Sequence, residues 1–179
     1  MLKKISFILT IVVLSMALAG QFMTNEFEVE QSVDITAQTP FIHQYVNDLK
    51  QWPRWSPWQE DRSAMRIIYG KVTSGVGASQ SWQGAEGSGR LNVTASSVEN
   101  GIAYDVYFET DTTPSISALE YHPLNNQSTR VTWRLHGEIE MPVIGGYIAL
   151  FIENRTSAMF QTGLYNLKLL VEKDHADAN

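Results

Sequence analysis

The run Trp-Pro-Arg-Trp-Ser-Pro-Trp at residues 52–58 holds three of the chain's five tryptophans. Tryptophan carries a large aromatic surface, so this concentration can organise a core or line a pocket for an apolar ligand. Pro53 and Pro57 exclude a regular helix interior or a central strand at their own positions. The run, called here the tryptophan corner, is therefore predicted to be a rigid joint between two elements. Either it packs into the core, or it forms the wall of an apolar pocket.

Polar groups that could act on a ligand are few and scattered. The Arg54 guanidinium could fix a carboxylate or stack on a neighbouring tryptophan. Glu109 and Asp111, at the end of a predicted strand, could act as acid and base at a cavity mouth or simply face solvent. The histidines show no metal-ligand spacing, and we interpret His43 as a surface residue. No Gly-x-Ser-x-Gly motif occurs. The sequence predicts no catalytic residue, no metal site and no cofactor.

The composition sets the broad class of protein. A chain of 179 residues with 44% hydrophobic side chains is long enough for one domain with a sizeable core. The net charge of -6 argues against a nucleic-acid partner, since such proteins carry basic surfaces. The chain has no cysteine, which excludes disulfides, thiol catalysis and thiolate metal sites.

The N-terminus has the pattern of an export segment. Lys3 and Lys4 precede an uncharged, mostly apolar run at residues 5–20. Ala17 and Ala19 fit a signal-peptide cleavage site, whereas a retained helix would anchor the chain in the membrane. We therefore expect residues 1–23 to be a membrane anchor or a signal peptide. Either one places the domain on the periplasmic or extracellular side, anchored or secreted.

Hydrophobic periodicity predicts an α+β fold. Period-two alternation indicates one strand from residue 26 and about six more after the tryptophan corner. Asn100-Gly101 suits a tight hairpin turn. A short helix is expected at 39–49, with Thr39 as its N-cap. A long helix is expected at 147–172, where Phe160, Leu164 and further apolar residues recur at helical spacing. The later strands are predicted at residues 65–69, 78–83, 90–98, 102–109, 115–122 and 129–139.

Several short motifs together resemble one known family. They lie at residues 47–49, 52–58, 69–70, 75–78, 82–84, 129–133 and 163–168. The chain is similar, over about residues 26–172, to the polyketide cyclase/dehydrase-type branch of the START-related (SRPBCC, helix-grip) superfamily. The resemblance implies a curved antiparallel sheet wrapped around a long C-terminal helix, with two short helices after the first strand. It also implies a cavity between sheet and helix that takes apolar or aromatic small molecules.

These expectations define the domains, the candidate site and the candidate functions. Residues 24–174 are assigned to the helix-grip domain and 175–179 to a disordered tail. The favoured function is binding of a hydrophobic, lipid-like or aromatic small molecule, with the membrane contacted through the N-terminal segment. The alternatives are a polyketide cyclase or dehydratase, and an accessory domain with a filled core. The residues expected to line the cavity are Trp58, Trp82, Tyr104, Phe108, Trp133, Phe160 and Leu164.

Overall fold

The computed structural model describes residues 2–59, 65–85, 87–109 and 112–178. Its centre is one antiparallel sheet of seven strands in the order β1-β7-β6-β5-β4-β3-β2. This confirms the predicted α+β architecture and the long C-terminal helix. The strands are β1 (Glu26–Ile35), β2 (Met65–Tyr69), β3 (Ser79–Gly84), β4 (Gly87–Ser97), β5 (Gly101–Phe108), β6 (Ser115–Asn125) and β7 (Ser128–Glu138).

Alternation of side chains gives the sheet two different faces. Val131, Trp133 and Leu135 on β7 are buried on the concave face that the C-terminal helix covers. The convex face carries ion pairs between exposed groups, such as Arg130 with Asp34 at 2.7 Å. The apolar surface needed for the core therefore lies on one side of the sheet, as the period-two pattern predicts.

The segment between β1 and β2 crosses the concave side as short helical pieces. Helix α2 spans Thr39–Val46 and is followed by 3-10 turns at Trp52–Arg54 and Pro57–Gln59. The N-cap is Gln38 rather than the predicted Thr39, because Pro40 fits the second helical position as well as the first. The helix also ends earlier than predicted, since Leu49 donates its backbone N–H to the carbonyl of Thr73.

The C-terminal helix α3 spans Gly145–Asp177 and packs along β1 and β7. Strand β1 is a sheet edge, and side chains of α3 accept hydrogen bonds from its outward backbone N–H groups. The Glu153 carboxylate accepts from Glu28 at 3.1 Å, and Glu172 accepts from Thr36, the residue just after the strand, at 2.8 Å. These bonds satisfy edge donors that would otherwise be free to pair with another chain.

The helix is longer at its C-terminus than the sequence predicts. Asp174 accepts hydrogen bonds from the Tyr45 hydroxyl and the Arg54 guanidinium, both at 2.9 Å. The His175 ring lies 4.8 Å from the Phe41 ring. Apolar periodicity ends at Val171. Polar and ring contacts extend the helix by more than a turn beyond that point, and such contacts leave no periodic pattern in the sequence.

The N-terminal helix α1 spans Leu2–Gly20. Its apolar side chains from Ile5 to Leu18 are exposed, and its last turn approaches the start of α3. Within the described part of the chain, no helix meets the length and hydropathy that a membrane crossing needs.

Candidate ligand-binding site

The tryptophan corner enters the core from the concave side of the sheet. Trp52 and Trp55 are buried, and their ring N–H groups donate to backbone carbonyls at the end of α2. Trp52 Nε1 lies 2.8 Å from the Val46 oxygen, and Trp55 Nε1 lies 3.1 Å from the Tyr45 oxygen. Because each buried indole N–H has a partner, the corner is held as a rigid joint.

Trp133 on β7 is the centre of an aromatic cluster under α3. Its ring stacks on Phe160 of α3 at 4.1 Å with an interplanar angle of 5°. Trp55 and Trp58 meet the same ring edge-on at 5.5 and 5.2 Å. Trp133 is fully buried, so at this end of the concave face the space between sheet and helix is filled by aromatic side chains. Three of the predicted lining residues, Trp58, Trp133 and Phe160, are thus brought together as a packed cluster.

Gly163 allows α3 to approach this cluster. A Cβ atom at Gly163 would lie 2.8 Å from Pro57 Cδ and 2.9 Å from Trp133 Cζ3. Real side chains avoid such distances, and neither ring can turn aside cheaply. The neighbouring Leu164, another predicted lining residue, is 1% exposed. The helix, the tryptophan corner and β7 are therefore in direct contact at this point.

Tyr104 of β5 connects the cluster to the middle of the sheet. Its hydroxyl accepts a hydrogen bond from Trp133 Nε1 at 2.9 Å. Burial raises the pKa of Tyr104 to about 12, and hydrogen bonds with Ser117 and Trp133 oppose part of that shift. The hydroxyl therefore stays protonated at neutral pH and acts as a hydrogen-bonding group.

Trp82 and Phe108 form a second aromatic pair, nearer the other edge of the sheet. Their ring centroids are 6.0 Å apart, and both flank Gly89 in the strand register. A Cβ at Gly89 would overlap the Trp82 ring, so the glycine makes room for it. Trp82 is half-buried and Phe108 is 43% exposed. Of the predicted lining residues, these two are the ones the structure leaves open to solvent, together with part of Trp58.

A buried amide lies on the same face as this pair. Gln80 shares the concave side of β3 with Trp82 and pairs with Leu91 on β4. It is 8% exposed, and its Oε1 atom has no hydrogen-bond partner among the described residues. Ser56 in the tryptophan corner is also buried with an unpartnered hydroxyl. Such groups are costly unless something bonds to them. Sequence analysis missed Gln80, although a polar residue between Ala78 and Trp82 in an alternating strand was a usable signal.

The other polar candidates have structural partners or lie at the surface. Arg54 pairs with Asp174 and lies over the Tyr45 ring at 5.4 Å. His43 was expected at the surface but is buried, because α2 turns it onto the sheet, where its Nδ1 lies 3.2 Å from the Tyr121 hydroxyl. Burial lowers the pKa of His43, while Glu99 opposes the shift. Glu109 is exposed beside an open depression at the β3–β4 hairpin, and Asp111 lies outside the described residues.

The family model described as polyketide cyclase / dehydrase and lipid transport matches residues 26–172. The chain belongs to this family. The matched range begins at β1 and ends in the last turns of α3, so it contains the whole sheet and every candidate site residue. No curated protein matches the sequence.

Solved structures share the fold of this family member at low sequence identity. Norcoclaurine synthase from Thalictrum flavum is 12% identical with a TM-score of 0.62, covering 87% of this chain and 99% of its own. A Thermobifida fusca protein is 19% identical with a TM-score of 0.60, covering 82% and 93%. A protein in the dynemicin biosynthetic locus is 12% identical with a TM-score of 0.57. That match covers 81% of this chain, which spans about half (47%) of the longer protein.

Proposed function

We propose that this domain binds one hydrophobic small molecule on the open part of its concave face. The observation that carries the proposal is the combination, on one sheet face, of half-exposed aromatic rings with a buried amide oxygen that has no partner among the described residues. Trp82 and Phe108 offer apolar surface, and Gln80 offers an acceptor that lacks a donor. Ligand pockets combine apolar walls with a few placed polar groups in this way.

The proposed site is shallow, because aromatic side chains fill the end of the concave face under α3. Trp133, Phe160 and Leu164 pack against the tryptophan corner, so they close one side of the site and do not line a deep cavity. Helix α3 packs along β1 and β7, whereas Trp82 and Phe108 lie on β3 and β5 toward the other end of the sheet order. The ligand accordingly lies over β3, β4 and β5. We infer that it carries a hydroxyl or N–H group for Gln80.

We favour binding over catalysis because the two buried tyrosines of the concave face offer no general base. Tyr104 and Tyr121 lie on the concave face, and burial raises the pKa of both hydroxyls. Both stay protonated at neutral pH, so neither serves as a general base. The shared family description includes lipid transport, which fits a carrier of apolar molecules.

We also propose that the domain works outside the cytoplasm. The support is the sequence order of Lys3, Lys4 and the apolar run that follows, which acts either as a retained anchor or as a removed signal. An apolar ligand would then be met at the outer side of the membrane.

Matched variants on β5 test the binding site. Phe108 lies on the concave side, and its neighbour Tyr107 lies on the convex side, over Arg90. We expect Phe108→Ala to weaken binding of a fluorescent apolar alcohol by about tenfold, the scale of one lost aromatic contact. Tyr107→Ala should bind as the parent does. Both variants keep α1, so any probe that binds to this helix contributes equally to the two measured affinities. Equal affinity in both variants would contradict the proposed site.

A further inference from the structure

Exposed apolar side chains collect at the end of the molecule where α3 begins. They lie in the loop after β7, in the first turns of α3, and two residues after the end of α1. Their exposed fractions are 49% for Met141, 52% for Ile144, 51% for Leu150, 64% for Phe151 and 84% for Phe22. We call these five residues the apolar edge. Clusters of exposed large apolar residues mark contact surfaces, whereas single ones need no explanation.

The apolar edge is continuous with α1. The Tyr147 hydroxyl in the first turn of α3 donates to the Met16 backbone oxygen at 2.9 Å. Gly20 lies against Val143 and the Tyr147 ring, so a Cβ there would collide with the Val143 carbonyl. Helix α1 itself exposes apolar side chains around its whole circumference. A helix with no polar face is normally covered by a protein core or by lipid. In the described part of the chain, the apolar side chains of α1 from Ile5 to Leu18 stay exposed.

Charge and backbone geometry distinguish this segment from an ordinary surface. Residues 141–152 contain no Asp, Glu, Lys or Arg, although five of these twelve residues are exposed. Val143 has a φ of 69°, a left-handed conformation that is strained for a β-branched residue. The loop therefore holds an unfavourable conformation while it presents Met141 and Ile144 outward.

We propose that, in the chain that retains α1, the apolar edge is a lipid-contact surface that rests on the bilayer beside that helix. A second copy of the chain would need a complementary polar rim around an apolar centre. A segment without charge, joined to a helix without a polar face, instead matches the hydrocarbon boundary of a membrane. Because charge contributes nothing here, contact does not require anionic lipid and does not weaken with salt.

The apolar edge and the proposed ligand site share one end of the sheet. The start of β1 pairs with the end of β7 at Glu26 and Glu138. The start of β6 pairs with the ends of both β5 and β7, so the ends of β5 and β7 lie at the same end of the sheet as the start of β1. The Trp82–Phe108 pair lies near that same end. If the domain rests on its apolar edge, the pair lies close to the membrane, and a ligand can pass from lipid to protein with little exposure to water. This route rests on the proposed function, whereas the lipid contact does not.

Two leucines on α3 provide a matched test. Leu150 and Leu169 are 51% and 50% exposed, and the helical rise separates them by roughly 28 Å. The chain has no cysteine, so Leu150→Cys or Leu169→Cys places a single polarity-sensitive fluorophore on the full-length protein. The protein is reconstituted in phosphatidylcholine vesicles that contain spin-labelled phosphatidylcholine, and lipid-dependent quenching is measured. Phe151→Cys serves as a second edge position if the Leu150 variant does not fold.

We expect at least threefold stronger quenching at position 150 than at position 169, unchanged by salt. Equal quenching at both positions, or none at 150, would overturn the lipid-contact surface. A blue-shifted but unquenched label at 150 would also overturn it, since a protein partner or a second copy would then cover the edge. Loss of probe binding with strong quenching at 150 would count against the ligand site alone.

Discussion

Gly163 is the residue at which α3 and the aromatic core come into contact. Gly163→Ala adds a methyl group between Pro57 and Trp133. Its carbon would lie less than 3 Å from a ring atom of each residue, which is closer than van der Waals contact allows. Alanine favours a helix by about 1 kcal/mol over glycine. Overpacking costs about 1–3 kcal/mol, and the rigidity of the two rings makes that cost dominate.

We therefore expect Gly163→Ala to lower the free energy of unfolding, as measured by chemical denaturation. Thr162→Ala is the matched control, since Thr162 is the exposed neighbour on the same helix. It should change stability by less than about 0.5 kcal/mol. A Gly163→Ala protein as stable as the parent would show that the helix can shift without cost.

At Gln80, one substitution should raise the stability of the empty protein and weaken ligand binding. Leucine at this position removes a buried acceptor that has no partner, so Gln80→Leu should stabilise the empty protein by about 1 kcal/mol. The same change should weaken binding of an apolar alcohol but leave a matched alkane unaffected.

Gln83 provides the comparison for Gln80, since it lies exposed on the opposite face of β3. Gln83→Leu should alter neither alcohol binding nor alkane binding. Thermal unfolding and calorimetric titration measure the two effects separately. If Gln80→Leu bound the alcohol as well as the parent does, the proposed hydrogen bond between the ligand and Gln80 would be wrong. The apolar contacts with Trp82 and Phe108 would be unaffected by that result.

At the scale of elements, the sequence predicts type and order better than ends. Alternation, together with glycine-rich and polar turns, located all seven strands, and the 3.6-residue period located α3 through Phe160 and Leu164. The last turns of α3 were missed because Asp174 and His175 are fixed by polar and ring contacts with Arg54, Tyr45 and Phe41. Contacts between residues so distant in sequence leave no local pattern.

These contacts predict how the end of α3 behaves. The Tyr45 hydroxyl and then the Arg54 guanidinium hold the pKa of Asp174 below its ordinary value, so the carboxylate is ionised at neutral pH. Asp174→Asn should speed amide hydrogen exchange over residues 172–177 and leave global unfolding almost unchanged, since the pair is partly exposed. Lys173→Gln, on the exposed side of the same turn, should not change exchange there. Unchanged exchange in Asp174→Asn would show that helix propensity alone holds these turns.

At the scale of the whole molecule, the candidate site was predicted only in part. The aromatics selected from the sequence share the concave face, and the structure separates them into a packed cluster at Trp133 and an open pair at Trp82 and Phe108. That division depends on how far α3 extends across the sheet and on how deeply the tryptophan corner enters. Both are packing outcomes that residue type and spacing do not encode. The position of Gln80 in an alternating strand was a usable signal, but the lack of a partner for its Oε1 atom among the described residues depends on its surroundings.

The central claim is that the open half of the concave face holds one apolar molecule. Native mass spectrometry of the 179-residue chain, purified gently from the cells that make it, tests it most directly. We predict one added mass of an apolar compound bearing a hydroxyl or N–H group, at similar occupancy in the parent and Tyr107→Ala, and at markedly lower occupancy in Phe108→Ala. A parent chain that carries no added mass, or equal occupancy in the parent and both variants, would contradict the account.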